Sequence, residues 1–86
     1  MRDATKWVPL RYYLRARRTR DPELTLRFRQ IEDILGDGLP KPARKSADWW
    51  ANDAATAQAL AWLEVGWRVK SVDLAGETVS FELHDG

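Results

Sequence analysis

A chain of 86 residues forms one domain with a modest core, burying roughly 60–65% of its unfolded surface at this size. It has no cysteine, which excludes a disulfide framework, a thiolate metal site and a cysteine nucleophile, and no apolar run approaches the ~18 residues of a membrane span. The net charge of +1 hides an asymmetry: residues 1–20 hold seven Lys/Arg and one Asp, whereas residues 21–86 hold seven Lys/Arg and twelve Asp/Glu.

Val8 to Arg18 reads as the first helix. Pro9 suits its first turn, where a missing N–H costs nothing. Leu10, Tyr13, Leu14 and Ala16 give a partial apolar stripe. Arg11, Arg15 and Arg18 recur at spacings of four and three and so share another face. Like charges at that spacing repel, so a compensating partner is expected, either an anionic ligand or acids of the chain itself.

A polar break, Thr19 to Glu23, precedes Leu24-Thr25-Leu26-Arg27-Phe28, whose alternation predicts a short strand. Phe28 to Leu35 follows at helical period, with Phe28, Ile31, Ile34 and Leu35 inward and Gly36 as the stop. Pro42 opens a short helix from Ala43 to about Trp50. Asn52 or Asp53 is placed to cap the next helix, about Ala54 to Val65. Alanines 54, 55, 57, 59 and 61 favour that helix. Leu60 and Leu63 face inward in it, Trp62 covers a neighbouring edge, and Gly66 ends it.

Trp67–Leu74 and Thr78–Leu83 read as two strands of a hairpin. Trp67 and Val69 share one parity and Val72 and Leu74 the other, so a bulge near Lys70-Ser71 is needed to restore one face. Ala75-Gly76-Glu77 is the turn, with Gly76 as the residue suited to positive φ. The sum is an α+β domain over residues 1–86, ordered from about 7 to 83. Its three-stranded antiparallel sheet, residues 24–28 pairing with the hairpin, carries three to four helices. The order is winged-helix-like, but about seventeen residues separate the second helix from the Ala54 helix, where a helix-turn-helix needs three or four.

Specific strings carry a resemblance: Val8-Pro9-Leu10 with Tyr13-Leu14, Trp49-Trp50-Ala51-Asn52-Asp53, Ala61-Trp62-Leu63 with Gly66-Trp67, and Val72-Asp73-Leu74 with Val79 and Phe81. On these the chain resembles a family of small uncharacterised bacterial proteins, a domain of unknown function also seen as a module in longer chains. The resemblance covers nearly all of residues 7–83 and implies domain limits. Relatives often carry a His and a Ser where this chain has Thr56 and Ala57.

Catalysis is a poor fit. The only histidine, His84, sits three residues from the end, a poor place for a general base. There is no Gly-rich phosphate loop, no His-x-x-x-His and no Ser-His-Asp set, so no catalytic residue, metal or cofactor is expected. Binding fits better. Five tryptophans offer either core filling or flat faces for a partner. Trp49 and Trp50 point about 100° apart if helical, which assigns Trp50 to the core and Trp49 to the rim. Lys41, Arg44 and Lys45 suit phosphates, while the amides of Asn52 and Gln58 suit adenine edges. The bland alternatives are a cap for Asn52 and solvent for Gln58. Arg11, Arg15 and Arg18 suit a DNA backbone, and equally Trp faces or Glu32 and Asp33.

The expectation is a non-enzymatic, cytoplasmic, double-stranded DNA-binding module. Arg11, Arg15, Arg18, Lys41, Arg44 and Lys45 would meet phosphates, and Trp49, Asn52 and Gln58 would lie against DNA. The alternative is a protein-interaction module or homodimer anchored on Trp49 or Tyr12. A membrane partner is not expected.

Overall fold

The computed structural model describes residues 4–18, 20 and 22–84. Along the chain come α1 (Val8–Arg17), β1 (Glu23–Arg27), α2 (Phe28–Leu35), α3 (Lys41–Lys45), α4 (Ala57–Leu63), β2 (Trp67–Asp73) and β3 (Thr78–Leu83). Single 3-10 turns at Ala4–Trp7 and Ala47–Trp50 precede α1 and follow α3. The predicted break after α1 includes Thr19 and Asp21, which lie outside the described residues.

The strands form one antiparallel sheet in the order β1-β3-β2, so residues 24–28 do reach the C-terminal hairpin. Leu24 pairs with Phe81 and Leu26 with Val79, which puts their apolar side chains on one face. The register of β2 against β3 shifts between Val69 and Ser71. This is the predicted bulge, and it lets Trp67, Val69 and Val72 all contribute to the core side. On the far face Thr25 Oγ1 and Ser80 Oγ share a hydrogen bond at 2.8 Å.

Several boundaries differ from expectation, each for a local reason. Phe28 belongs to α2 rather than to the strand, although its N–H still donates to the Glu77 carbonyl at 2.8 Å. The predicted helix from Ala43 to Trp50 is two pieces. Ser46 is extended (φ −138°, ψ 127°) between them, and its hydroxyl accepts the Asp48 N–H. The Ala54 helix begins later, at Ala57, capped by neither Asn52 nor Asp53. Thr56 is its cap, its hydroxyl accepting the Ala59 N–H at 3.3 Å. Asp53 instead accepts the Ala55 N–H, making a turn that holds the two alanines out of the helix. In the hairpin turn the positive φ falls on Glu77 (56°), not on Gly76. A Cβ at Gly76 would lie 2.6 Å from Asp73 Oδ2, so a side chain there would displace the Asp73 carboxylate that accepts the Gly76 N–H. Gly36 does stop α2, at φ 72°.

The core is an aromatic stack. Phe28 lies flat on Trp50 (5.2 Å, 15°), Trp50 lies flat on Trp62 (6.0 Å, 19°), and Phe81 meets Trp62 edge-on at 5.6 Å. These rings come from α2, the second 3-10 turn, α4 and β3, so the stack joins both halves of the chain. α1 closes the core by packing against α2 and α4 with Leu10 and Leu14. Trp62 does not cover an edge: it is fully buried. Leu60, expected inward, is only partly buried and lines a shallow groove with Trp7, Val8, Arg11, Ala57 and Ala61. Trp50 is buried and Trp49 half-buried between Trp7 and Trp50, as expected.

These placements separate two substitutions on α4. Trp62→Ala should cost about 3–5 kcal/mol, as truncation of a buried aromatic does. Leu60→Ala should cost less than about 1.5 kcal/mol, because part of its surface stays in water. Urea unfolding followed by circular dichroism measures both, and equal costs would reverse the assignment of the α4 faces.

Candidate functional site

The arginine face of α1 divides in two. Arg11 is ion-paired with Glu64, at the end of α4. Arg15 and Arg18 are exposed and have no acidic partner among the described residues. The Arg18 guanidinium lies against Gly66: a Cβ on that glycine would stand 2.9 Å from Arg18 Nε. The requirement for glycine at 66 is its φ of 88°, since the Arg18 side chain is free to move aside. Arg20, just beyond the periodic face, is also exposed without a described acidic partner. It belongs to the same acid-free run as the other arginines, and its place off the helical period is why periodicity passed over it. Arg17 is turned elsewhere, with its guanidinium 4.7 Å from the Tyr13 ring centroid.

The basic triplet after the loop divides likewise. Arg44 donates to Glu32 Oε2 at 2.7 Å and to Glu77 Oε2 at 2.8 Å, and its guanidinium lies 5.8 Å from the Phe28 ring. It thus pins α3 to α2 and to the hairpin turn. Glu32 Oε2 also accepts the Leu39 N–H at 2.9 Å. That backbone bond and the Arg44 bond hold the Glu32 carboxyl below the usual carboxylate range, while the two carboxylates raise the Arg44 guanidinium above its own. The pairing of Glu32 with Arg44 leaves it serving α3, not α1. Lys41 and Lys45, one turn apart on α3, are exposed and unpaired among the described residues.

Asn52 is neither a cap nor an unoccupied amide. Its Nδ2 donates to the Val69 carbonyl at 3.0 Å, and its Oδ1 accepts the Val69 N–H at 2.8 Å. The same oxygen accepts the Trp62 indole N–H at 2.9 Å. The carboxamide therefore imitates one peptide of a neighbouring strand along the outer side of β2. Gln58 Nε2 donates to the Trp49 carbonyl at 3.3 Å, so it is tied to the second 3-10 turn rather than solvated. Of the nine candidates, Arg15, Arg18, Lys41 and Lys45 are the charged side chains left without an ion pair among the described residues, while Trp49, half-buried against Trp7 and Trp50, is held by ring contacts. The charged side chains lie in two patches. The first is at the C-terminal end of α1. The second is on α3, which packs on the 3-10 turn whose Trp49 touches Trp7, next to the start of α1.

No group of three or more His, Cys, Asp or Glu side chains among the described residues is arranged to hold a metal ion. His84 is exposed beyond β3. No described helix is long and apolar enough to cross a membrane.

Asn52→Ala leaves the Trp62 indole N–H and both main-chain groups of Val69 without a protein partner. The domain should lose about 1–3 kcal/mol of stability, read as a lowered urea midpoint. Glu32 generates a pH dependence. Its folded-state pKa is depressed, so its contribution is present in full above the ordinary carboxylate value near ~4.3 and is lost as pH falls through the folded value. Glu32→Gln should therefore melt below wild type at pH 7, and the gap should close as pH falls below ~4. A gap constant from pH 7 to pH 3 would remove Glu32 from the acid response.

No curated protein and no solved structure matches the chain. Residues 7–84 do match a family model described as a domain of unknown function, DUF7662, and with nearly the whole domain covered the chain belongs to that family.

Proposed function

We propose that this domain is a non-enzymatic binder of double-stranded DNA that grips the phosphate backbone with the C-terminal end of α1. The observation that carries the reading is the set Arg15, Arg18 and Arg20, all exposed and without a described acidic partner. The guanidinium fork suits phosphate oxygens, and arginine stays charged at any physiological pH. Arg11 and Arg44 contribute less, since each must first release a carboxylate. Lys41 and Lys45 form a second, separate anion-attracting patch.

The reading includes indifference to base sequence. Asn52 and Gln58, the side chains chemically suited to base edges, are engaged by Val69, Trp62 and Trp49. The winged-helix-like order of elements favours the same class of partner, but α4 is a seven-residue helix with Ala59, Ala61 and Trp62 buried, which leaves little of it to enter a groove. A bacterial, cytoplasmic setting belongs to the same proposal. A second reading, capture of another protein, rests on one feature. Tyr12 is 61% exposed, one turn after Val8 and beside the groove floored by Trp7 and Ala61. An aromatic anchor next to an apolar groove is a common docking arrangement.

Three phosphate contacts predict a slope of about −3 for log K against log salt on a random duplex. Changing Arg15, Arg18 and Arg20 together to Ala should abolish most of that slope, whereas Lys41→Ala with Lys45→Ala should leave most of it in place. Fluorescence anisotropy at ~50 mM salt reads both, and no binding at ~100 μM folded protein would overturn the proposal, since non-specific binders reach that affinity.

A further inference from the structure

The sheet has two margins, and the fold treats them differently. On the outer side of β2, the Asn52 amide occupies both main-chain groups of Val69 and the bulge interrupts the strand. On the outer side of β1, no strand pairs among the described residues. One edge is plugged from within the chain and the other is open.

The ladder determines which groups the open edge presents. The Leu83 N–H donates to the Pro22 carbonyl and the Phe28 N–H to the Glu77 carbonyl. In an antiparallel pair, bonded and non-bonded positions alternate. With Leu24 opposite Phe81 and Leu26 opposite Val79, the even-numbered residues turn their main chain toward β3. Glu23, Thr25 and Arg27 turn theirs outward, and their side chains are exposed. Arg27 ends β1 and caps α2, and its N–H is held by Gln30 Oε1 at 2.9 Å. Thr25 is thus the centre of the free edge.

We infer that this edge pairs with the same edge of a second copy of the chain, antiparallel, about a two-fold axis through Thr25. Each Thr25 then donates its N–H to the other Thr25 carbonyl. Glu23 stands opposite Arg27 of the second copy, and Arg27 opposite its Glu23. Leu24 stands opposite Leu26. The charges choose this register. An axis through Glu23 would set two carboxylates face to face, and an axis through Arg27 two guanidiniums, both unfavourable. Glu23 Oε2 meets Lys70 at 2.8 Å within its own chain, which leaves Oε1 for the second copy. A five-residue edge buries less area than a stable interface, so the dimer is weak and forms at high protein concentration. The inference is independent of DNA binding, and its test contains no DNA.

Sedimentation velocity on the full chain, from about 10 μM to about 1 mM, spans the range in which so small an interface assembles. Wild type should pass from monomer toward dimer. Glu23→Arg alone, or Arg27→Glu alone, sets like charges opposite each other at both positions and should weaken association by about tenfold or more. An equal mixture of these two variants should associate again, because every facing pair is then opposite in sign. Thr25→Pro should remove association while circular dichroism stays native, since the lost N–H points away from β3. A wild-type monomer throughout the range would overturn the inference. So would single variants that associate as tightly as wild type, or a mixture that stays monomeric.

Discussion

A buried indole must find an acceptor for its N–H, and that demand organises this domain. Trp62 stacks on Trp50 and is fully buried, and its N–H reaches Asn52. Asn52, held there, is also in reach of Val69, and the loop after the second 3-10 turn becomes fixed to β2. Trp50 repeats the pattern with the Ala43 carbonyl of α3, at 2.8 Å. Trp67 does so with the Leu14 carbonyl of α1, at 2.7 Å. Leu14 lies in the last turn of α1, where carbonyls lack helical donors, so the tryptophan from β2 also completes the end of that helix. Three indoles thus act as directional fasteners as well as bulk. In a chain without cysteine, two of them fix neighbouring segments to each other and the third, from Trp67 to Leu14, links the two ends of the domain.

The same competition for partners shapes the surface. Arg11 and Arg44 are consumed by carboxylates from elsewhere in the chain, and Arg44 in turn holds α2, α3 and the hairpin turn together. Each such pair cancels local field. Among the described residues, basic side chains without an ion pair remain at the end of α1, on α3, and at Arg27 and Arg29 beside the start of α2. The charge asymmetry between the first twenty residues and the rest is therefore only partly neutralised within the fold.

Regular, locally determined features were legible in the sequence. The alternation of Leu24 with Leu26 and of Val79 with Phe81, the helical stripe of Phe28 and Ile31, the stop at Gly36 and the bulge after Val69 all follow from spacing within about ten residues. What was illegible depends on partners far along the chain or on competing short-range bonds. Ala54 and Ala55 have high helix propensity, yet the Asp53 turn and the Thr56 cap exclude them. A bonded serine at position 46 divides one expected helix into two. For the candidate site the limitation was sharper. Whether Arg11 or Arg44 is available depends on Glu64, Glu32 and Glu77, and no periodicity encodes those meetings. Asn52 had the chemistry of a base reader, and only the tertiary position of Trp62 and Val69 reveals its other use.

Phe28 is at once the last rung of the β1–β3 ladder and the first residue of α2. No loop lies between strand and helix to absorb an error. If β1 slipped by one residue against β3, its leucines would turn toward water. The helix would also be fed from the wrong phase, its stripe rotated by about 100°. Phe28 would leave Trp50, and Ile31 would leave the core. Two structural periods, one of two residues and one of 3.6, are thus made to agree at a single position. A slipped β1 would lose its own leucines and the α2 side of the core together, so strand pairing and helix docking are proofread together.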